Sequence, residues 1–389
     1  MLLVLLVGQS ISCSAGVPAE KAVSQNLTPP QKTPSEKALG EKAPLGKSSV
    51  PVGIMSFGWT KNFPRSASLN FPYVDGMSAY MGWSDIEKQD GVYDFSLIDD
   101  LVTVAREKGK TINLMFSPGA HAPEWLYKKG ARSFSWKRQL MEDQALLRGD
   151  FSSDTAPLPW DPIFLEHWKR FIGKVADKYR NDATIGYISL TGPAIRSITT
   201  AILLKKKEDW DRFYASGYSY DKVLSAWKEV IDHYEKVLPD KRLMLAIAPS
   251  KPGSQDVTLS RTLVDYIRSK RYHNISFFCV FLNDTWFLRS KAAKDIRSLL
   301  KEAKADGFTF GYQMAQSAHR NATWKKSTPI VKSLRESLAG GIGDGASWIE
   351  VWHADIVDPQ APKTGAPNAK YVEDLKWAHD ALHDRAKRP

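Results

Sequence analysis

Residues 275–316 read ISFFCVFLNDTWFLRSKAAKDIRSLLKEAKADGFTFGYQMAQ, and the order of patterns within this stretch sets the fold class. ISFFCVFL (275–282) is apolar at nearly every position and so has no polar face to offer to water, as expected of a strand covered on both sides. A charged, amphipathic, helix-like segment follows at 291–305, and then a second apolar run, TFGYQMAQ (309–316). Two such strands joined through a helix form a βαβ unit, which makes the strands parallel.

The same alternation extends in both directions. Upstream lie VGIMSFGW (52–59), SAYMGW (78–83), TINLMFSPG (111–119), IGYISLTG (185–192) and RLMLAIAPS (242–250), and downstream lies ASWIEVWH (346–353), so the chain has eight runs in all. Helix-like segments at 96–108, 163–179, 221–237, 259–269 and 330–339 separate them, and one at 372–386 closes the chain. Eight strands covered by helices fit an α/β fold of the closed (β/α)8, or TIM, barrel type better than a doubly wound sheet of five or six strands. No GxGxxG or GxxxxGK[ST] follows the first run, which argues against nucleotide binding. The longest inserts, 127–160 and 193–220, both follow strands, on the face where barrels carry their sites.

The barrel is assigned to 51–389. Residues 15–50 are rich in Pro, Lys, Ser, Ala and Glu and read as a disordered linker, because they hold too few large apolar side chains to offset ordering entropy. Residues 1–14 contain LLVLLV (2–7) ahead of small polar residues and resemble a secretion signal lacking its charged start, which predicts an exported protein. The Ser12-Cys13-Ser14 context offers Cys13 as a lipid-attachment residue, the alternative being simple cleavage a few residues later. The only other cysteine is Cys279, so a disulfide framework is not expected. A net charge of +11 invites a nucleic-acid reading, but the basic residues form no long run, 205–207 being the densest cluster, and no groove-binding or single-strand-binding motif is present.

In a barrel the residues at the C-terminal strand ends line one mouth. Read in order, those ends supply Trp59; Trp83 and Asp85; His121, Glu124 and Trp125; Thr191 and Gly192; Ser250; Asn283, Asp284 and Trp286; Gln313 and Gln316; and Glu350, Trp352, His353 and Asp355. No group of three or four His or Cys stands among them, so no metal and no cofactor are assigned. Flat amphipathic rings with amides beside them suit sugars, whose C–H faces stack while their hydroxyls seek partners. Trp59, Trp83, His121, Trp125, Asn283, Trp286, Gln313, Gln316, Trp352 and His353 are therefore the candidate carbohydrate-binding residues. The alternative for each Trp is packing beneath the loops.

Residues 80–126, YMGWSDIEKQDGVYDFSLIDDLVTVAREKGKTINLMFSPGAHAPEWL, resemble the N-terminal half of clan A glycoside hydrolases, especially the family 42 β-galactosidase type. The shared pattern is W-x-x-I-E-x-x-x-G-x-Y-D-F-x-x-I-D followed by A-P-x-W-L. The likeness continues more loosely through HWKRFIGKVADKY (167–179) to GASWIEVWHADI (345–356). Within the motif, Glu87 is expected to fix the loop before Gly91, and Asp94 or Ser96 to cap the following helix. The resemblance implies a general acid/base Glu after the fourth strand, usually in Asn-Glu, and a nucleophilic Glu at the end of the seventh. A retaining pair must stand about 5–5.5 Å apart across the scissile bond.

This chain departs from that pattern. Alignment places Thr191 at the Asn and Gly192 at the acid/base; a later register falls on 198–200, which also lacks a carboxylate. Gln313 or Gln316 stands at the nucleophile and cannot attack an anomeric carbon. Glu208, Asp209 and Asp211 read as solvated or capping residues ahead of a helix. Asp284, Glu350 and Asp355 remain. Glu350 interrupts an apolar run, and a buried carboxylate must be hydrogen-bonded, ion-paired or shifted in pKa. Two readings stand: a glycosidase acting on an oligo- or polysaccharide through a displaced Asp284–Glu350 pair, or a degenerate carbohydrate-binding or scaffold barrel.

Overall fold

The computed structural model describes residues 50–59, 67–136, 155–195, 198–202, 204, 206–249, 256–290, 293–319, 330–360 and 365–387, with the Trp59 side chain outside the description. The expectations for the signal segment, the linker, Cys13 and Ser250 fall outside those residues.

Eight parallel strands close into a barrel: β1 (Gly53–Trp59), β2 (Gly76–Gly82), β3 (Thr111–Ser117), β6 (Ile185–Ser189), β7 (Leu243–Ala246), β8 (Ile275–Leu282), β9 (Phe310–Met314) and β10 (Trp348–Trp352). β4 (Ser133–Ser135) and β5 (Thr155–Pro157) form a separate antiparallel pair inside the first long insert. All eight expected strands are present, and the eight-residue span of ISFFCVFL coincides with β8. The β4–β5 pair and the Lys207–Ala215 helix went unforeseen, being short and weakly periodic. That helix also corrects the reading of Asp209, which is buried within it and paired with Arg212 rather than lying ahead of a helix.

Closure follows from which faces can be covered. Outward strand residues such as Ile54, Leu114, Ile188 and Leu245 pack with the helix faces in one continuous core. The Pro162–Tyr179 helix shows how: Phe164, Trp168, Phe171, Ile172, Val175 and Tyr179 recur at helical spacing and are all buried. Its start is fixed by Asp161, whose Oδ1 accepts from the Ile163 and Phe164 amides at 3.1 Å each, with Pro162 at the first helical position.

Inward residues form a second cluster that includes Met55, Phe57, Met115, Met244, Phe278 and Trp348. Gly311 is required here, because a Cβ on it would sit 2.2 Å from the Trp348 indole. Between β3 and β6 the register slips, from Ile112 opposite Ile185 to Leu114 opposite Ile188. The additional β6 residue is a bulge, and such bulges re-aim side chains. It places Tyr187 in the inward cluster while Ile188 joins the outer core.

Candidate functional site

Glu350 lies on β10, fully enclosed, with Gln313 of β9 opposite it in the ladder. Its Oε1 accepts from Ser78 Oγ at 2.5 Å and from the Tyr187 hydroxyl, while Asn113 Nδ2 donates to Ser78 Oγ at 3.0 Å. Its Oε2 has no hydrogen-bond partner among the described residues. Burial pushes the Glu350 carboxyl up to about 7, against the opposing pull of the Ser78 and Tyr187 hydroxyls. Burial, then the Glu350 charge, raises the Tyr187 phenol well above its ordinary value. The group is therefore a carboxyl close to half-protonated at neutral pH, gripped on one oxygen and bare on the other.

Further inward-facing polar atoms share that bareness. Asn113 Oδ1, Ser117 Oγ, Ser189 Oγ, Gln313 Oε1 and Trp348 Nε1 are buried without a hydrogen-bond partner among the described residues. Inward-facing positions on β3, β6, β9 and β10 thus carry unmet hydrogen-bonding capacity, which is costly unless something polar meets it. Ser78, Asn113 and Tyr187 escaped the strand-end reading because they stand mid-strand. The signal was present nonetheless: single polar residues interrupting apolar runs.

The turn after β6 holds Thr191 and Gly192, the residues aligned with the family's Asn-Glu. Thr191 Oγ1 donates to the Phe116 carbonyl at 2.8 Å, and Trp168 Nε1 donates to the Thr191 carbonyl at 2.8 Å. A Cβ on Gly192 would lie 3.1 Å from both Trp168 Nε1 and Val230 Cγ1, so this position faces the helix layer rather than the barrel interior. The chain then crosses toward β7. Ala120 N donates to the Ile195 carbonyl, Thr199 bridges Ala246, and Ile198 joins the inward cluster with Tyr187 and Phe278. The Ile198 side chain thus lies in the inward cluster, within the register where the family's carboxylate was sought.

The other carboxylates hold backbone and hydroxyl groups or face solvent. Asp284, expected as half of the catalytic pair, accepts from the Lys332 amide at 2.8 Å, the Ser333 amide at 3.1 Å and Ser337 Oγ at 3.4 Å, anchoring the entry to the Leu334–Asp344 helix. Asp355 accepts from Ser317 Oγ and the His319 amide at 2.8 Å each and from the Ala318 amide at 3.1 Å. Asp85 accepts from the Gly82 amide at 3.0 Å, and Glu124 is exposed in the first turn of its helix. Glu87 takes the structural part expected of it: it binds Trp83 Nε1 at 2.8 Å, the Gly91 amide at 2.9 Å and Arg170 at 2.5 Å.

The expected sugar-binding residues divide. Trp83 is a correction: it is fully buried in the outer core against Trp125, Trp168 and Phe171, with no face left for a ligand. Trp125 belongs to the same assembly, donating to the Glu87 carbonyl at 3.0 Å beneath Arg170. Asn283 is a second correction, since its Oδ1 accepts from the Thr285, Trp286 and Phe287 amides and its Nδ2 donates to the Phe281 carbonyl. Trp59 ends β1. Trp352 stands on Phe57 edge-to-face at 4.8 Å, and Trp286 is 42% exposed. His121 and Gln316 are half-buried, Gln313 faces the interior, and His353 is buried with its pKa lowered by that burial to about 4, so it is neutral at physiological pH. A surface hollow beside Arg289, Arg297 and Lys301 lies on the helix layer, and its bases already pair with Glu336 and Asp344.

Comparison with known proteins bears on the fold. Residues 58–239 match the family model Glyco_hydro_42, described as beta-galactosidase. Beta-galactosidase BgaB of Geobacillus sp. (strain Y412MC61) and beta-galactosidase bgaB of Geobacillus kaustophilus are each 22% identical over 213 residues, covering 53% of this chain and 29% of each relative. The match therefore spans less than a third of those relatives' length. Among solved structures, the catalytic domain of beta-amylase from Paenibacillus polymyxa superposes with a TM-score of 0.54 at 10% identity, over 88% of this chain and 100% of that one. The beta-galactosidase from Rahnella sp. R3 superposes with a TM-score of 0.54 at 12% identity, over 88% of this chain and 57% of that one. At such identities the structural likeness is one of fold. This chain is a (β/α)8 barrel, similar over residues 58–239 to the family described as beta-galactosidase.

Proposed function

We propose that this barrel binds carbohydrate at the C-terminal ends of its strands and does not cleave it by the paired-carboxylate route of its relatives. The observation that carries the reading is the set of buried polar atoms on the inward faces, from Ser117 and Ser189 to Gln313 and Glu350, that have no partner among the described residues. Sugar hydroxyls, each both donor and acceptor, are suited to such a set. Trp352 and Trp286 supply aromatic faces on the same side of the barrel. Double displacement needs two carboxyls facing one anomeric carbon. Among the described strand-end carboxylates, Asp85 holds the Gly82 amide, Asp284 and Asp355 hold distant loops and Glu124 is exposed, leaving Glu350 alone.

A second reading has one observation in its favour: the unshared Oε2 of Glu350, with a carboxyl poised near 7, has the character of a general acid. Calorimetric titration with a panel of oligosaccharides, alongside nitrophenol release from aryl glycosides, separates the two. Expected are saturable binding by wild type, about three- to tenfold weaker binding by Gln313→Ala, and no nitrophenol release above that of Glu350→Gln. Release by wild type that vanishes in Glu350→Gln would establish the hydrolase instead. Failure of every glycan to bind would remove the carbohydrate reading.

A further inference from the structure

At the opposite, N-terminal end of the barrel, Asp75, His379 and His383 bring one ligand atom each to within 4.8 Å of one another. Asp75 precedes β2, and the two histidines stand four residues apart on the Val372–Ala386 helix, hence on one face of it. His383 Nε2 lies 2.8 Å and His379 Nε2 3.5 Å from the same oxygen, Asp75 Oδ1. The other oxygen, Oδ2, accepts from the Ile54 amide at 2.8 Å, which fixes the carboxylate plane. Gly53, at φ 100°, leaves this corner open: a Cβ there would meet Asp75 Oδ2 at 1.8 Å and His383 Nε2 at 3.0 Å.

The outer ring nitrogen of His379, Nδ1, lies 3.0 Å from the Asp380 carboxylate. A proton on Nδ1 completes that contact and leaves Nε2 as a lone pair facing the Asp75 oxygen, an arrangement that calls for a cation between them. A carboxylate behind a ligating imidazole is also the usual outer support of a metal-bound histidine. Two imidazoles and a carboxylate form a set suited to Zn2+, with bonds of about 2.0–2.2 Å and ligand atoms about 3.3 Å apart in a tetrahedron. The observed 2.8 and 3.5 Å bracket that spacing.

We infer that Asp75, His379 and His383 form a zinc-class divalent metal site that clamps the C-terminal helix to the start of β1 and β2. The side chains are 18%, 23% and 36% exposed, so the site is accessible to an ion and leaves a fourth position for water. It lies on the barrel face associated with stability, away from the mouth, and is independent of any sugar binding there.

The test uses the full chain without a polyhistidine tag, stripped with chelator and titrated with Zn2+ alone by calorimetry, and with Co2+ to read four-coordinate visible absorption. Expected are one Zn2+ per chain, a rise in Tm on loading, and loss of both in the His379→Gln/His383→Gln double variant. Asp380→Asn, which keeps all three ligands, weakens binding about tenfold. If wild type binds no Zn2+, or the double variant binds it with undiminished affinity and stoichiometry, the cluster is a histidine–carboxylate ion pair only and the inference is overturned.

Discussion

Glu350 should make the barrel less stable as pH rises through neutrality, and Glu350→Gln should abolish that loss. Burial moves the carboxyl from its ordinary 4.5 to about 7, so between those values the folded chain holds a proton that the unfolded chain has released. Stability then falls with rising pH across that window and levels off above it, because the state binding more protons is favoured at low pH. At about 1.36 kcal/mol for each tenfold change in proton activity, the shift from 4.5 to about 7 corresponds to about 3 kcal/mol. A glutamine keeps an oxygen for Ser78 and Tyr187, and its amide can face Gln313 Oε1, the register neighbour without a partner. The variant should therefore match wild type near pH 4 and exceed it by about 3 kcal/mol near pH 8. Urea unfolding of both proteins at pH 4, 5, 6, 7 and 8 measures this, and taking the difference cancels other groups such as His353, whose lowered pKa works in the opposite direction. A difference independent of pH would refute the account of an enclosed Glu350 whose carboxyl is shifted toward neutrality by burial.

Asp284→Asn should cost about 1–3 kcal/mol in unfolding free energy by placing an amide against the Lys332 or Ser333 N–H, while leaving sugar affinity unchanged in calorimetry. Lost affinity at unchanged stability would return Asp284 to the site. Gly192→Glu, which supplies a carboxylate at the family's acid/base position, should lower stability by about 1–3 kcal/mol and yield no nitrophenol from aryl glycosides, because its Cβ meets Trp168 and Val230. Restored hydrolysis would show that the turn can aim a side chain into the barrel.

The strand ends show where sequence reasoning reached its limit. Asn283, Asp284 and Trp286 share one short segment, FLNDTW, and all three were assigned to the mouth. Only Trp286 keeps an open face; Asn283 serves amides two to four residues ahead, and Asp284 serves amides 48 and 49 residues away. Neither partner set leaves a mark in local composition. Trp83 failed as a sugar platform for a related reason, since a tryptophan after a strand is equally at home beneath a helix, and here Trp168 and Phe171 arrive from the Pro162–Tyr179 helix to enclose it.

The amino-acid order by itself determined the eightfold alternation of strand and helix, because burial on both faces requires continuous apolar runs and a helix on a core requires a 3.6-residue period. It also determined that Thr191, Gly192, Gln313 and Gln316 stand where alignment seeks the family's glutamates. Tertiary structure alone decided which polar groups converge. Ser78, Asn113, Tyr187 and Glu350 are drawn from four strands and meet only because barrel closure and the β6 bulge set their register. Register between strands is fixed by packing of distant segments, so the direction in which each side chain points is a property of the closed barrel.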